Sequence, residues 1–384
     1  MTAKDKYRFH RFIDKWFGSA LLFLLGVIFF RKRPVPKSVR SIVLIKSDGI
    51  GDLVMVTAVV RDLRAALPGA QIILLCGPFN YPLASLLAGF DRIVCLKLSN
   101  PLRAVLELRR LKPDVCVDLG EWSRIEALIA FASGARWTVG FRTPRQFRHF
   151  AFDLALPHRR DQHEMENFKS LVQPLGIPTP HQPAIELTAE ASAAAEGKKP
   201  ATESPYAVLH LWSGSATWSH LKEWPFDRWR ELARWLNGEG CAVYLTGSRA
   251  DGERAEGFTS QCTWPGVRIR SIAGLDFLAL IQLLKHASIV VSIDTSITHM
   301  AGALGTPVLS LHGPSSSKRW GPVGARAEAI DSTCPGSGYM NWGADSNPRL
   351  ARLPCMEAIT VGDVIGKVES MWKGRGPQAK RGGE

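Results

Sequence analysis

Strand-like and helical segments alternate along most of this chain, and that alternation constrains its fold more than any other feature. In the first half, the apolar β-branched runs are residues 41–45, 71–76, 92–96 and 115–119. In the second half, they are residues 206–211, 241–247, 289–293 and 306–313. Amphipathic helical patterns separate them, and this order predicts parallel sheets with helices on both faces. We therefore expect an α/β protein.

Length and composition suggest two such domains. A chain of 384 residues is long enough for two, and residues 176–204 change to a composition rich in Pro, Ala, Glu and Lys. The predicted organisation is a basic and apolar segment (1–40), a first domain (41–185), a linker (186–204), a second domain with a closing helix (205–372) and a basic tail (373–384). Two α/β domains joined by a linker predict a ligand site in the cleft between them, at the carboxyl ends of the strands.

The positive charge lies at the two ends of the chain. The formal net charge is +13, of which residues 1–40 carry +8 and residues 373–384 carry +3, so the rest is close to neutral. A nucleic-acid enzyme would spread basic residues along a folded groove. This distribution therefore predicts no nucleic-acid partner.

The larger basic block surrounds fifteen uncharged, mostly apolar residues, Trp16–Phe30. A helix of that length is about 22 Å long, which is short of the ~30 Å hydrocarbon core of a membrane. Basic flanks bind anionic lipid headgroups, so we expect a helix that lies in a membrane interface. A helix packed on the protein's own surface and a tilted membrane span are the alternatives. No cleavage site follows the segment, which disfavours a signal peptide.

Cysteines and carboxylates do not form a recognisable metal site. The seven cysteines are scattered without a C-x-x-C pair, which is typical of a reduced cytosolic protein and disfavours a zinc site or a disulfide framework. Carboxylate pairs with metal-ligand spacing do not occur either, so we expect no obligatory metal.

The turn S-D-G-I-G-D (47–52) follows the first strand, where a dinucleotide-binding protein would have its glycine-rich loop. The third glycine of that fingerprint is replaced by Val54, and the second strand is not followed by an acidic residue, which disfavours a Rossmann dehydrogenase. Asp52 instead places a carboxylate at the start of the helix. Asp48, in the same turn, either contacts a ligand or holds the loop.

In the second half, Asp294-Thr295-Ser296 follows a buried strand and opens a short helix. Free amides at the helix start, together with the hydroxyls of Thr295 and Ser296, suit a diphosphate, and Asp294 can accept hydrogen bonds from a sugar. Helix capping alone explains the same three residues. His299 lies one turn further along, as a ligand or as a packed side chain.

The loop after the strand at 206–211 carries Ser213, Ser215 and Lys222, whose hydroxyls and cation can surround phosphate oxygens. It is not a Walker A loop, because the lysine precedes Glu223 rather than Ser or Thr. Further along, Asp251 or Glu253 follows the next strand and could reach a ribose.

Four stretches of the chain resemble glycosyltransferase family 9, the ADP-heptose:lipopolysaccharide heptosyltransferases. They are residues 43–70, 113–142, 221–248 and 290–324, and the closing residues 353–368 fit the family's C-terminal helix. The resemblance implies a GT-B fold, in which two Rossmann-like domains face a central cleft. It also implies that the first domain takes the acceptor and the second takes the nucleotide sugar.

The resemblance assigns roles to individual residues. Asp52 matches the family's general base, with Gly51 as the glycine that lets the chain turn towards the cleft, and Lys222 matches the lysine that stabilises the diphosphate. Asp294-Thr295-Ser296 matches the family's D-T-G, with Ser296 in place of glycine, and His299 matches the family histidine. Arg124 and Asp48 are acceptor-side candidates.

These assignments predict an inverting transferase that moves a sugar, heptose from ADP-heptose, to a lipopolysaccharide-core or related lipid-linked glycan. The nucleotide sugar is a co-substrate, and no further cofactor is expected. We expect the enzyme at the cytoplasmic face of the inner membrane. The alternatives are a transferase of the same fold with another nucleotide sugar, and a noncatalytic envelope scaffold. Retention of Asp52, Lys222, Asp294 and His299 together disfavours the scaffold.

Overall fold

The computed structural model describes residues 14–29, 32–97, 99–214, 219–340 and 354–373. The chain forms two compact units, Met1–Ala189 and Glu190–Glu384. The division falls within residues 186–204, where a linker is predicted. That stretch contains a helix, Ala189–Glu196, whose Ala191 and Ala195 are buried.

The first unit is built on a six-stranded parallel sheet. Its strands are β1 (Ser41–Lys46), β2 (Gln71–Cys76), β3 (Arg92–Cys95), β4 (Val115–Asp118), β5 (Trp137–Arg142) and β6 (Leu154–Pro157). The strand order is β3-β2-β1-β4-β5-β6, and each neighbouring pair runs parallel. The central strands are apolar on both faces because helices cover both sides of the sheet.

In the described part of this unit, six α-helices accompany the sheet. They are α1 (Ser19–Ile28), α2 (Ile50–Ala66), α3 (Tyr81–Ala84), α4 (Pro101–Leu111), α5 (Arg124–Ala132) and α6 (Glu164–Ser170). Short 3-10 turns lie at Arg148–Ala151 and Gln173–Leu175, and a π-helical turn, Asp14–Gly18, precedes α1. On one face of the sheet, β1 and β2 contribute Val43, Ile45 and Ile73 to a core that also contains Leu108 of α4 and Ala127 of α5.

Helix α1 packs against the first unit along one narrow stripe. Gly18, Leu22 and Gly26 recur every four residues and are buried, as expected for one face of a helix. The approach is close: a Cβ on Gly26 would lie 2.2 Å from the ring of Phe150. Most of the other side chains of the helix are apolar and exposed. None of the helices in the described ranges is long and apolar enough to cross a membrane.

The second unit repeats the architecture of the first. Its strands are β7 (Tyr206–His210), β8 (Ala242–Leu245), β9 (Ile269–Ser271), β10 (Ile289–Ile293), β11 (Val308–His312) and β12 (Ala327–Asp331). The order is β12-β11-β10-β7-β8-β9, all parallel, which read from the other edge is the order of the first sheet with each number raised by six.

The helices of the second unit follow the same alternation. They are α7 (Ala189–Glu196), α8 (Phe226–Gly238), α9 (Gly252–Ser260), α10 (Phe277–His286), α11 (Ser296–Ala303), α12 (Ser317–Trp320) and α13 (Val361–Lys373). Two 3-10 turns lie at Ser219–Lys222 and Arg249–Asp251. Trp224 and Trp229 meet edge to face, with ring centroids 5.0 Å apart, in the core under α8. Two parallel six-stranded sheets covered by helices confirm the α/β class.

The strand order places one ligand-binding edge in each unit. In the first sheet the order reverses between β1 and β4, and in the second it reverses between β7 and β10. The loops that leave such a pair diverge to opposite faces and open a crevice at the carboxyl ends of the strands. The turn at residues 47–52 follows β1, and Asp294-Thr295 follows β10, so both predicted clusters lie at these positions.

Candidate active site

In the first unit, Asp52 lies in the first turn of α2, directly after the loop from β1. A carboxylate is stabilised there because the helix dipole is positive at its N-terminus. The side chain is 20% exposed, so the carboxylate is within reach of a ligand while it remains largely desolvated. This placement suits a group that accepts a proton at the edge of the sheet.

The glycine that permits this turn is Gly49, and the expectation for Gly51 is wrong on this point. Gly49 caps α2 with φ of 70°, in the left-handed region, whereas Gly51 lies inside the first helical turn. A Cβ on Gly49 would lie 2.6 Å from Oδ2 of Asp52. The spacing G-x-G in the sequence does not reveal which of the two glycines takes the strained conformation.

Lys46, the last residue of β1, was not singled out from the sequence. Its buried ammonium Nζ lies 2.8 Å from Oδ2 of Asp52 and 2.5 Å from Oδ1 of Asp48. Burial raises the pKa of Asp52 to about 6, because the opposing attraction of Lys46 is partly offset by the repulsion of Asp48. Asp52 is therefore ionised at neutral pH and more basic than an exposed aspartate, as a general base requires.

Glu126 of α5 holds the loop between β1 and α2. Its Oε1 accepts hydrogen bonds from the backbone N–H of Ser47, at 2.9 Å, and from the Ser47 hydroxyl. Burial, with repulsion from Asp48 and Asp118, raises the pKa of Glu126 to about 7. The adjacent strand end carries a fully buried ion pair, Arg148 Nη2 to Asp118 Oδ2 at 2.5 Å.

Arg124, predicted as an acceptor-side residue, takes part in helix capping. Oδ1 of Asp14 accepts hydrogen bonds from the backbone N–H groups of Arg124 and Ile125, at 2.9 and 3.0 Å, and so caps α5. The guanidinium Nη1 of Arg124 lies 3.2 Å from Oδ2 of the same aspartate. The side chain is buried, and this contact joins the N-terminal segment to the helix that carries Glu126.

His158 follows β6 and joins two carboxylates of the same sheet edge. Its Nε2 lies 2.6 Å from Oε2 of Glu121 and 2.9 Å from Oε1 of Glu164. A metal ion could be shared by a group of His, Cys, Asp or Glu side chains whose ligand atoms all lie within 4.8 Å of one another. Within the described ranges, these three residues are the one such group. Their separations are those of hydrogen bonds, shorter than the ~3.3 Å between two ligands of a tetrahedral ion. We therefore interpret the trio as an imidazolium held by two carboxylates.

In the second unit, Lys222 and Asp294 form a buried ion pair. Nζ of Lys222 lies 3.0 Å from Oδ2 of Asp294 and donates to the backbone carbonyl of the same residue at 3.0 Å. Burial alone would raise the pKa of Asp294, but Lys222, His312 and His299 hold it well below its usual value. The lysine is thus fixed beside the start of α11, where its charge adds to that of the helix dipole.

Thr295 and Ser296 begin α11 as predicted. Thr295 is the N-cap, and its hydroxyl accepts from the backbone N–H of Ile297 at 3.3 Å. Ser296 is half-buried at the first helical position, and His299 is buried one turn later on the side of Asp294. These four predicted residues, with Lys222, form one charged cluster at the switch point of the second sheet.

His312 is a member of this cluster that the sequence did not reveal. It ends β11, is fully buried, and is held between the hydroxyls of Ser310, 2.7 Å from Nε2, and Ser315, 3.2 Å from Nδ1. Its charge acts on Asp294 from the neighbouring strand. Only the pairing of β10 with β11 brings the two residues together.

The remaining donor-side candidates differ in the contacts that their side chains make. Ser213 is half-buried after β7, with its hydroxyl 3.5 Å from Glu223, while Ser215 lies outside the described residues. Asp251 forms a capping box, in which its Oδ2 accepts from the hydroxyl of Ser248 at 2.6 Å. Glu253 is exposed in the first turn of α9. Asp251 therefore has a structural partner of its own, and a ribose would have to compete with it.

This chain is similar in sequence to a known family of glycosyltransferases. The sequence model of glycosyltransferase family 9 (heptosyltransferase) matches residues 107–337, more than half of the chain. Lipopolysaccharide heptosyltransferase 1 of Pseudomonas aeruginosa is 27% identical over 326 residues, which cover 77% of this chain and 84% of that protein.

Two solved structures share the fold. The structure of Escherichia coli ADP-heptose lps heptosyltransferase II superimposes with a TM-score of 0.69 at 20% identity, covering 86% of this chain and 98% of that one. E. coli heptosyltransferase WaaC with ADP gives 0.67 at 18% identity, covering 86% and 99%. With more than half of its length matched by the family, and with a charged cluster at each switch point, this chain belongs to glycosyltransferase family 9 and is a glycosyltransferase.

Proposed function

We propose that this enzyme transfers heptose from ADP-heptose to the lipopolysaccharide core or a related lipid-linked glycan. The support for the substrates is the family itself and its relatives, one of which is an ADP-heptose transferase and another of which was solved with ADP. The proposal includes a GT-B arrangement, with the acceptor on the first unit and the nucleotide sugar on the second.

The observation that carries the proposal is the placement of Asp52. A partly desolvated carboxylate with a pKa of about 6 lies at the switch point of the first sheet. In the reaction, this carboxylate takes the proton of an acceptor hydroxyl, and the hydroxyl oxygen forms a bond to the anomeric carbon of the donor sugar. The bond from that carbon to the diphosphate oxygen breaks on the opposite side, so the configuration inverts.

The second unit stabilises the leaving diphosphate. Lys222 brings one positive charge, and the N-terminus of α11 brings the positive end of a helix dipole. Because Lys222 is already anchored by Asp294, its charge is positioned before the donor binds. Asp294 remains ionised throughout the physiological pH range and keeps the lysine in place.

We also propose that α1 binds the cytoplasmic face of the inner membrane. The outward side chains of α1 and of the turn before it are large and apolar, with Phe17 of the turn and Val27 and Ile28 of α1 each about two-thirds exposed. An apolar surface of this kind on a short helix with basic neighbours suits the interface of an anionic bilayer. Arg33 is not available to lipid, because it forms an ion pair with Asp153 at 2.8 Å.

Vesicle flotation tests this part of the proposal. Wild-type protein should float with vesicles that contain anionic phosphatidylglycerol, and a Val27→Glu change on the exposed side of α1 should abolish flotation without altering the fold. The matched control is Val267→Glu, which changes another exposed valine, in the second unit. Equal flotation of wild type and Val27→Glu would contradict membrane binding through this helix.

Activity measurements test the catalytic assignment. Asp52→Asn and Asp52→Ala should each abolish transfer while ADP still stabilises the protein against heat, since ADP binds the other unit. The control is Asp227→Ala, an exposed aspartate on α8, which should leave turnover unchanged. Turnover close to wild type in the Asp52 variants would refute the assignment.

A thermal-shift screen of ADP-, UDP-, GDP- and dTDP-sugars tests the donor. Stabilisation by ADP-heptose supports the proposal, whereas a preference for another nucleotide sugar would assign a different donor to the same fold. Ser296, in place of the family's glycine at the start of α11, is the residue at which such a difference would arise. Stabilisation by none of them would contradict the assignment of nucleotide-sugar binding to the second unit.

A further inference from the structure

A single buried ammonium group links two aspartates of the β1–α2 loop. Nζ of Lys46 lies 2.8 Å from Oδ2 of Asp52 and 2.5 Å from Oδ1 of Asp48, so one cation is shared between the two carboxylates. The two aspartates differ in exposure: the side chain of Asp52 is 20% exposed and that of Asp48 is 76% exposed. The loop therefore holds an inner carboxylate, an outer carboxylate and a cation between them.

The surroundings of Lys46 fix the position of its ammonium group. The residue is hydrogen-bonded within the central part of the sheet, in register with Cys76 of β2, and its carbonyl accepts from Nδ2 of Asn80 at 3.0 Å. Its ammonium lies 5.8 Å from the ring centroid of Phe168 on α6, and the side chain is buried. A lysine enclosed in this way has little freedom to follow a substrate, so its charge acts on the neighbouring carboxylates.

We infer that Lys46 is the positioning residue for the base: it occupies Oδ2 of Asp52 and leaves Oδ1 to accept the proton of the acceptor, while Asp48 competes for the same ammonium group. This inference rests on the proposed function of Asp52 as the base. It gives Asp48 a role in controlling Asp52, in place of direct contact with the acceptor.

The charges around Asp52 make its ionisation depend on Lys46. Glu164 of α6 acts on Asp52, and Glu126 of α5, whose own pKa is raised to about 7, acts on Lys46 and lies beside Asp48. Glu164 is itself paired with His158. Burial alone would lower the pKa of Lys46, but Asp48, Asp52 and Glu126 hold it well above its usual value, so the ammonium stays charged.

Removal of Lys46 and removal of the charge of Asp48 should therefore shift the pKa of Asp52 in opposite directions. Without Lys46, burial and the repulsion of Asp48 are no longer opposed, and the pKa of Asp52 rises above about 6. Without the charge of Asp48, one repulsive neighbour is lost and Lys46 is left to Asp52, so the pKa of Asp52 falls. A merely structural role for either residue would not produce this pair of opposite shifts.

The test is the pH dependence of kcat/KM for heptosyl transfer, which reports the pKa of the base in the free enzyme. Wild type, Lys46→Met, Lys46→Arg and Asp48→Asn are compared between pH 5 and 9.5, with stabilisation by ADP as a check that each variant is folded. For wild type we expect activity to fall as the pH drops through about 6.

In Lys46→Met the acidic limb of the pH profile should move up by at least about one pH unit, so that transfer at pH 7 falls by about half or more and recovers as the pH rises. Lys46→Arg should return the limb close to that of wild type, because it restores the cation. Asp48→Asn should move the acidic limb to lower pH. An equal loss at every pH in Lys46→Met, with the limb unmoved, would overturn the inference.

Three further outcomes keep the test decisive. If Lys46→Met does not fold, Asp48→Asn carries the test alone, since that side chain is largely exposed, and a limb that stays in place or moves up would overturn the inference. Turnover in Asp52→Ala would refute the base itself, and with it the proposed mechanism. An inactive Asp52→Ala with an unmoved limb in Asp48→Asn and Lys46→Met would refute only the role of Lys46 and Asp48.

Discussion

Replacement of His158 should remove a specific part of the pH dependence of stability. His158 lies between Glu121 and Glu164, with Nε2 2.6 and 2.9 Å from their carboxylate oxygens, and its side chain is almost fully buried. Burial alone would lower the pKa of His158, but the hydrogen bonds and charges of the two glutamates raise it to about 9. The folded protein therefore binds a proton at this site more tightly than the unfolded chain does.

The direction and size of the effect follow from that shift. A histidine whose pKa is raised on folding stabilises the folded state fully below its unfolded value of 6.5, and this contribution is lost as the pH rises to about 9. At about 1.4 kcal/mol for each pKa unit, the shift corresponds to about 3 kcal/mol. The free energy of unfolding of the first unit should fall by that amount between pH 6.5 and 9.

Hydrogen exchange of peptides that cover β5 and β6 measures the opening of this unit separately from the second. We expect the free energy of opening in wild type to fall by about 3 kcal/mol from pH 6.5 to 9, and His158→Gln to lack that slope. His286→Gln is the matched control, because burial and two lysines lower the pKa of His286 and it titrates below this range. If the free energy of opening falls equally with pH in wild type and in His158→Gln, the reasoning is refuted.

Two further changes test the geometry around the base. Arg148→Met leaves Asp118 buried without its cation and should destabilise the first unit by about 3–5 kcal/mol in urea unfolding, whereas Arg159→Met, at an exposed ion pair, should leave the urea midpoint nearly unchanged. Equal effects would contradict the role of burial. Gly49→Ala places a Cβ 2.6 Å from Oδ2 of Asp52 at a φ of 70°, so turnover should fall at least about tenfold while ADP binding persists. Turnover within about twofold of wild type would show that the loop accommodates a side chain.

Much of the fold was predictable because parallel strands are buried on both faces and form continuous apolar runs. The runs at 71–76 and 289–293 match β2 and β10 residue for residue, and the other predicted runs overlap a strand. Strands β5, β6, β9 and β12 were not predicted. Residues 137–142 mix Trp, Gly and Arg with apolar side chains, and β9 is three residues long, so pattern alone gives a weak signal there.

The site was predictable where chemistry is local in sequence. Asp52, Thr295 and Ser296 each follow a strand and open a helix, so their placement at a strand end could be inferred from the order of residues alone. Lys46 and His312 were missed because each is the last residue of a strand, where a polar side chain looks ordinary. Their significance depends on neighbours that lie on other segments of the chain.

The sequence by itself determined that this chain builds two parallel α/β sheets and that acidic, hydroxyl and lysine side chains follow particular strands. Only the tertiary structure decided which charges meet. The shared ammonium group of Lys46, the hydrogen bond that Ser47 donates to Glu126, and the action of His312 on Asp294 arise when sheet pairing and helix packing bring separate segments together. Because the energy of a charge depends on burial and on partners within a few ångströms, the basicity of Asp52 is a property of the folded unit.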